Sequence, residues 1–90
     1  MSKTEETKIK TEFDKACEDI KTLNNLDNET LLNLYGLYKQ ALEGDCVLPK
    51  PSFFDLKANA KWNSWKERTG MDTNTAMRRY TREVKKCLGN

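Results

Sequence analysis

Tyrosines and lysines four residues apart are the side chains of this sequence most capable of chemistry. Tyr35 and Lys39 would lie on one face of a helix with Leu32 beside them, since residues three and four apart share a face. A tyrosine ring can stack on a flat base, and a lysine binds phosphate as a point charge. The strip thus mixes an alkyl group, a phenol and a cation, and it could face a ligand; a half-buried tyrosine beside a surface lysine would give the same pattern.

A second pair of lysines, Lys57 and Lys61, lies just before the tryptophans Trp62 and Trp65. Like charges four apart on a helix repel each other by about 0.2–0.5 kcal/mol, and a bound anion would relieve that repulsion. This pattern indicates an anion held near an aromatic wall. Two solvated lysines whose alkyl stems lie along apolar surface are the other interpretation.

Three further residues are weaker candidates for a binding site. Tyr80 falls on the inward face of the last helical pattern, where it would be a core tyrosine or a ligand contact. Lys21 lies outside the apolar stripe of the first pattern, where a solvated lysine is the usual role. Gly36 costs its helix about 1 kcal/mol relative to alanine, so it serves either close packing or clearance for a ligand.

The composition argues against an enzyme. The chain has no histidine, so it lacks the commonest general base and any Ser–His or Cys–His pair. Glycine loops that cradle phosphates and clusters with metal-ligand spacing are also missing. We therefore predict a protein that is not an enzyme, with no metal site and no cofactor.

The three cysteines and the apolar runs bear on the compartment. Cys17, Cys46 and Cys87 are far apart and odd in number, so a disulfide framework is not expected and a reducing compartment is indicated.

No apolar run approaches the roughly 20 residues that a membrane span needs, and Lys3 is not followed by the hydrophobic run of a signal peptide. These features predict a cytoplasmic protein.

Apolar residues recur at spacings of three and four, which predicts an all-α chain. The predicted segments are a disordered polar tail over 1–8, a helix from Ile9 to about Leu23, a helix from a cap at Asp27 or Asn28 to Glu43, a helix around 57–69 that ends at Gly70, and a helix after a cap at Asp72 or Thr73. On the second helix, the strip expected to face the core contains Leu31, Leu34, Tyr38 and Leu42, with Ala41 at its margin.

The segment between the second and third helices holds both prolines, Pro49 and Pro51, and reads as a long loop. Such a loop can cross over the bundle. We therefore expect residues 9–90 to form one domain, a four-helix bundle with up-down-down-up order.

Two segments resemble the acyl-CoA-binding protein family. Residues 34–41, Leu-Tyr-Gly-Leu-Tyr-Lys-Gln-Ala, followed by Gly44 and Asp45, resemble the family's Tyr-x-x-Tyr-Lys-Gln-Ala-x-x-Gly-Asp. Residues 60–65, Ala-Lys-Trp-Asn-Ser-Trp, resemble its Ala-Lys-Trp-x-x-Trp. Phe13-Asp14-Lys15-Ala16 and Ala76-Met77 with Tyr80 fall at the right distances, and the match runs without a gap from about residue 11 to residue 88.

The resemblance implies a four-helix fold that binds fatty acyl-CoA in a bowl at its surface. The residues it assigns to the CoA part are Lys21, Tyr35, Gly36, Leu37, Tyr38, Lys39, Lys57, Lys61 and Tyr80. Those it assigns to the acyl chain are Leu31, Leu32, Leu56 and Ala60. The implied function is non-catalytic binding, buffering and intracellular transport of medium- to long-chain fatty acyl-CoA for lipid metabolism. The implied protein is a monomer that makes transient contact with acyl-CoA-using enzymes or membranes and binds no nucleic acid.

Two other functions are weighed against this one. A small helical nucleic-acid-binding module would use the basic stretch from Lys57 to Lys86 with its tryptophans. The formal net charge of +2, from 16 basic and 14 acidic residues, counts against that interpretation. A helical interaction domain of a larger protein is favoured only by the charged N-terminal tail.

Overall fold

A computed structural model describes residues 2–89 of the chain, and within that range it contains four α-helices and no strand. The helices are α1 (Lys3–Asp19), α2 (Asn28–Glu43), α3 (Leu56–Lys66) and α4 (Thr73–Cys87), and a 3-10 turn over Ile20–Thr22 follows α1. The predicted all-α class is confirmed. Among these residues, no helix combines the length and the apolar character that crossing a bilayer would require.

Capping residues explain where α2 and α3 begin and where α2 ends. Asp27 accepts a hydrogen bond from the backbone N–H of Thr30 at 2.9 Å, and Asp55 accepts one from Ala58 at 3.0 Å. Each bond satisfies a donor that has no partner within the helix. Gly44 ends α2 with a φ of 77°, a left-handed value that glycine adopts without steric cost.

The first helix begins six residues earlier than its apolar stripe predicts. Ser2 caps α1 by accepting a hydrogen bond from the backbone N–H of Glu5 at 3.2 Å. The negative charges of Glu5 and Glu6 lie at the positive end of the helix dipole and stabilise the helix there. The predicted disordered tail over 1–8 is therefore wrong for residues 2–8, while Met1 lies outside the described residues. The cap and the helix dipole stabilise this exposed first turn. It therefore needs no buried apolar residues, and the sequence shows no apolar periodicity there.

Side-chain contacts show that α2 and α3 run in the same direction. The ammonium of Lys61 lies over the ring of Tyr35, and one turn further along both helices Lys39 lies over the ring of Trp65. Parallel neighbours need a connection that returns to the starting end. Residues 44–55 supply it, as the two prolines led us to expect.

The fourth helix packs against both α1 and α2. Phe13 on α1 meets Tyr80 on α4, with ring centroids 5.1 Å apart, and Asp19 and Leu88 near the ends of these helices line one shallow cavity. The helices α1 and α4 are therefore parallel, and the up-down-down-up order is confirmed.

A buried glutamine joins the end of α2 to the start of α4. The amide of Gln40, which is fully buried, donates to Asp45 Oδ1 and to the Met71 carbonyl, both at 2.8 Å. Asp45 also accepts from the backbone N–H of Gly70 at 2.8 Å. The Gly70 bond, followed by the Gln40 bond, lowers the pKa of Asp45. This junction sets α2 antiparallel to α4.

The core lies where α2 is enclosed by its neighbours. Its buried apolar residues are Phe13, Ala16, Leu34, Leu37, Ala41, Ala76, Tyr80 and Val84. Leu31, Tyr38 and Leu42 were expected in the core with Leu34, yet they are 48%, 38% and 48% exposed. That expectation is wrong because α2 packs between α3 and α4, which moves its buried face to Leu34, Leu37 and Ala41.

Candidate functional site

A shallow groove of about 340 Å³ runs between α2 and α3. Its lining consists of Asn28, Leu31, Leu32, Tyr35, Leu56, Lys57, Ala60 and Lys61. These include all four residues assigned to the acyl chain. They also include three of the residues assigned to CoA: Tyr35, Lys57 and Lys61. Asn28 is the lining residue that the sequence did not predict, because its place at the helix start suggested capping alone.

The walls of the groove stand close together because of a glycine. A Cβ atom on Gly36 would lie only 2.5 Å from the carbonyl oxygen of Ser64 on α3, and closer still to the Ser64 hydroxyl. The Ser64 hydroxyl donates to the Leu32 carbonyl, which ties the two helices at this point. Gly36 therefore serves helix packing, and of its two proposed roles clearance for a ligand is not the one the structure gives it.

One end of the groove is cationic and aromatic. The Lys61 ammonium lies 5.4 Å from the centroid of the half-buried Tyr35 ring, a cation–π distance. Lys57 is one turn earlier on the same face of α3 and is exposed. Among residues 2–89, neither lysine has a carboxylate oxygen within 4.0 Å. Both charges are therefore available to an anion.

Lys39 lies one turn beyond Tyr35 on α2, outside the groove lining. Its ammonium is 4.9 Å from the centroid of the Trp65 ring and forms an ion pair with Glu43. The hydrogen bond that Lys39 donates to Glu43 raises the pKa of Lys39, so the lysine stays protonated at neutral pH. An anion that reached Lys39 would have to compete with Glu43, whose side chain is 52% exposed.

Two residues assigned to CoA lie in the core instead of the groove. Leu37 is 4% exposed and Tyr80 is 5% exposed, and neither lines the groove. Tyr80 packs on Phe13 and Tyr38, hydrogen-bonds Cys17, and has a raised pKa because it is buried. Their contact with the ligand stays a prediction, and burial leaves these side chains little surface to offer.

Two further CoA assignments also fall outside the groove. Lys21 is exposed on the 3-10 turn, and its ammonium lies 3.3 Å from Glu18. Tyr38 is 38% exposed, with its ring 6.0 Å from that of Tyr80. The structure does not bring either side chain together with Tyr35 and Lys61.

Potential metal ligands do not converge in this part of the molecule. Within residues 2–89, no group of three or more cysteine, aspartate or glutamate side chains could hold a metal ion. The groove offers apolar contact from its leucines and positive charge from Lys57 and Lys61.

Comparison with known proteins identifies the fold and the family. The family model described as acyl CoA binding protein matches residues 10–84. An acyl-CoA-binding protein of Ricinus communis is 43% identical over 82 residues, which are 90% of this chain and 91% of that protein. The diazepam-binding inhibitor-like 5 protein of Rattus norvegicus is 41% identical over 80 residues, or 88% of this chain and 92% of that one.

A solved structure agrees with the sequence comparison. Acyl-CoA-binding protein 2 of Oryza sativa superposes with a TM-score of 0.86 at 40% identity, covering 90% of this chain and 91% of that one. Structure and sequence therefore agree. The chain that carries this helix order and the groove between α2 and α3 matches one family over most of its length. The chain is a member of the acyl-CoA-binding protein family.

Proposed function

We propose that the protein binds medium- to long-chain fatty acyl-CoA reversibly in the α2–α3 groove and buffers and transports it for lipid metabolism. One observation carries the proposal: the same groove joins an apolar trough at Leu31, Leu32 and Leu56 to a cationic, aromatic end at Tyr35 and Lys61. An acyl-CoA has the matching parts, an alkyl chain and a head that contains phosphates and an adenine. The nucleic-acid-binding alternative has no support among the comparisons.

The energetics favour a ligand that has both parts. Burying an alkyl chain contributes about 0.8 kcal/mol per methylene. Lysine ammonium groups next to a polyanion add a term that weakens as salt rises, because the lysines are exposed to the solvent. The groove supplies no general base and no nucleophile paired with one, so the ligand would leave unchanged. We propose on this ground that the protein is a carrier and not an enzyme.

The proposed setting is the cytoplasm, and the proposed state is a monomer. Cys17, Cys46 and Cys87 are all free thiols in the structure, which suits a reducing compartment. Burial raises the pKa of Cys17 and of Cys87, so neither thiol is activated as a nucleophile.

Calorimetric titration with palmitoyl-CoA tests the proposed function. We expect one saturable site and an affinity at least ~100-fold higher than that for acetyl-CoA, because of the extra buried methylenes. Trp65 contacts Lys39 near the cationic end, so its fluorescence should change on binding. An absence of saturable heat together with unchanged fluorescence would reject the proposal.

We further propose that an exposed apolar patch touches membranes when acyl-CoA is collected or delivered. Phe53 and Phe54 are 74% and 81% exposed, and their ring centroids are 4.1 Å apart. Leu56, which is 78% exposed and lines the groove, follows two residues after Phe54, and Lys50 and Lys57 are each three residues from the pair. Exposed rings beside lysines favour the interface of a bilayer that contains anionic lipids.

Sedimentation with phosphatidylserine-containing vesicles measures this contact. The double variant Phe53→Ser/Phe54→Ser should bind vesicles at least ~10-fold more weakly, since it loses two large apolar side chains. Leu42→Ser is the matched control, because Leu42 is 48% exposed on α2 but does not line the groove. Equal losses in the control and the double variant would contradict a specific membrane contact at this patch.

A further inference from the structure

A second concave surface lies between α2, the C-terminal end of α3, and α4. Two adjoining cavities of about 420 Å³ and 610 Å³ form it, and Asn33, Glu67, Arg68 and Glu83 line both. The larger cavity shares only Leu32 and Ala60 with the acyl-CoA groove, and the smaller one shares no residue with it. The surface is therefore distinct from the groove.

Arg68 lies at the centre of this surface and is held from two helices. Its Nη1 donates to the carbonyl and hydroxyl oxygens of Ser64 on α3, and its Nη2 donates to the side-chain oxygen of Asn33 on α2. The Nε atom is buried and has no acceptor among the described residues. These bonds fix the guanidinium plane and leave part of its hydrogen-bonding capacity unused.

The charge of Arg68 is not neutralised within the described part of the chain. No carboxylate oxygen of residues 2–89 lies within 4.0 Å of its guanidinium. Burial lowers the pKa of Arg68, and the positive charge of Arg79 lowers it further, although Glu67 acts in the opposite direction. A half-buried cation that has only neutral hydrogen-bond partners is costly, and an anion would offset that cost.

Three more cations on α4 line the smaller cavity. Arg79, Arg82 and Lys86 recur at spacings of three and four, so they share one face of the helix. With Arg68 they make four cations against the two carboxylates of this cavity, Glu67 and Glu83, while Asp27 and Glu29 line the larger cavity. Glu83 is already 4.0 Å from Lys86, which leaves the arginine side of the cavity with excess positive charge.

From this geometry we infer that the smaller cavity binds a phosphate-bearing anion, either a phosphomonoester or a pyrophosphate. The N–H groups of Arg68 that remain without an acceptor suit a phosphate oxygen, and a guanidinium whose plane is already fixed loses less conformational entropy on binding. Arg79 and Arg82 are exposed and stand at the edge, where they can close on the ligand. The inference does not depend on acyl-CoA binding, because the groove lysines Lys57 and Lys61 take no part in it.

The test follows the Nε–Hε resonance of Arg68 by ¹H–¹⁵N NMR while pyrophosphate is added to the full chain at constant ionic strength. The resonance should shift saturably, and Arg79→Gln/Arg82→Gln should weaken the binding about tenfold without unfolding the protein, because both arginines are exposed. Arg78→Gln is the matched control, since Arg78 is an exposed α4 arginine that lines neither cavity.

Three results would overturn the inference: a shift that does not saturate, a chloride titration that reproduces it, or an Arg78→Gln variant that loses as much affinity as the double variant. The first two would mean ionic screening, and the third would mean general attraction to a basic helix. A parallel titration with CoA distinguishes the source of the phosphate. A saturable Arg68 shift with pyrophosphate alone indicates a small free anion, and one with both indicates that a nucleotide also fits.

Discussion

Replacing Lys61 with methionine should weaken palmitoyl-CoA binding by about 10- to 100-fold. Lys61 is exposed at the groove, has no carboxylate partner among residues 2–89, and lies 5.4 Å from the Tyr35 ring centroid. Methionine keeps an apolar stem of similar length, so the substitution removes the charge and little of the packing. A hydrogen bond to a charged group contributes about 1.5–3 kcal/mol, which corresponds to that range of affinity.

Calorimetry at two salt concentrations makes the Lys61 test specific. The difference between wild type and Lys61→Met should shrink as salt rises, because screening weakens the wild-type contact that the variant lacks. Lys50→Met provides the control, since Lys50 is an exposed lysine that does not line the groove. If both variants lost affinity equally, the effect would be net charge, and Lys61 would not belong to the site.

The sequence predicted most of the fold because its helices are marked by local chemistry. Asp27 and Gly44 mark the ends of α2 through capping and left-handed geometry, and the apolar spacing fills the helix between them. The start of α1 was not predicted, because its first turn has no apolar residues. Ser2 and the acidic first turn stabilise that helix without burying anything, and a search for apolar periodicity does not detect them.

The groove was predictable only with the family resemblance. Spacing on α2 placed Leu32 and Tyr35 on one strip, and spacing on α3 placed Lys57 and Lys61 together. Spacing does not say that these two strips face each other across a groove. That fact depends on the parallel packing of α2 and α3, which is a tertiary contact between residues about 26 positions apart in the chain, as for Tyr35 and Lys61.

The assigned residues that lie in the core and not in the groove have a common physical cause. Leu37 and Tyr80 lie on helices that are enclosed on two sides, so a tyrosine or leucine near the motif can face the core as easily as the ligand. Arg68 shows the converse case. It falls in no recognised motif, and only the fold shows that its guanidinium is half-buried between Asn33 and Ser64 without a carboxylate.

Gly36→Ala should destabilise the protein, because overpacking usually costs about 1–3 kcal/mol and alanine offsets no more than about 1 kcal/mol of that cost. The added Cβ would lie 2.5 Å from the Ser64 carbonyl oxygen, so α2 and α3 would have to separate. Alanine would also gain up to about 1 kcal/mol of helix propensity, which opposes the clash but does not cancel it. For a domain of this size, each kcal/mol lowers the melting temperature by about 4–8 °C.

The same substitution should weaken acyl-CoA binding, because Leu32 and Tyr35 on α2 and Ala60 and Lys61 on α3 line opposite walls of one groove. Chemical denaturation and calorimetry on the same sample would separate the two effects. At a temperature where the variant is fully folded, the loss of affinity should remain, since it reflects the spacing of the walls and not the population of unfolded chains.

A double variant distinguishes a backbone clash from a side-chain clash. Ser64→Gly removes the hydroxyl nearest to the added Cβ but leaves the Ser64 carbonyl oxygen in place, so it should rescue Gly36→Ala only in part. Ser64→Gly alone supplies the reference, because it loses the hydrogen bond to the Leu32 carbonyl and gains a glycine inside α3. If Gly36→Ala instead raised stability by the amount expected from helix propensity, α2 and α3 could not approach as closely as the structure requires. Gly36 would then have to be reconsidered as clearance for the ligand.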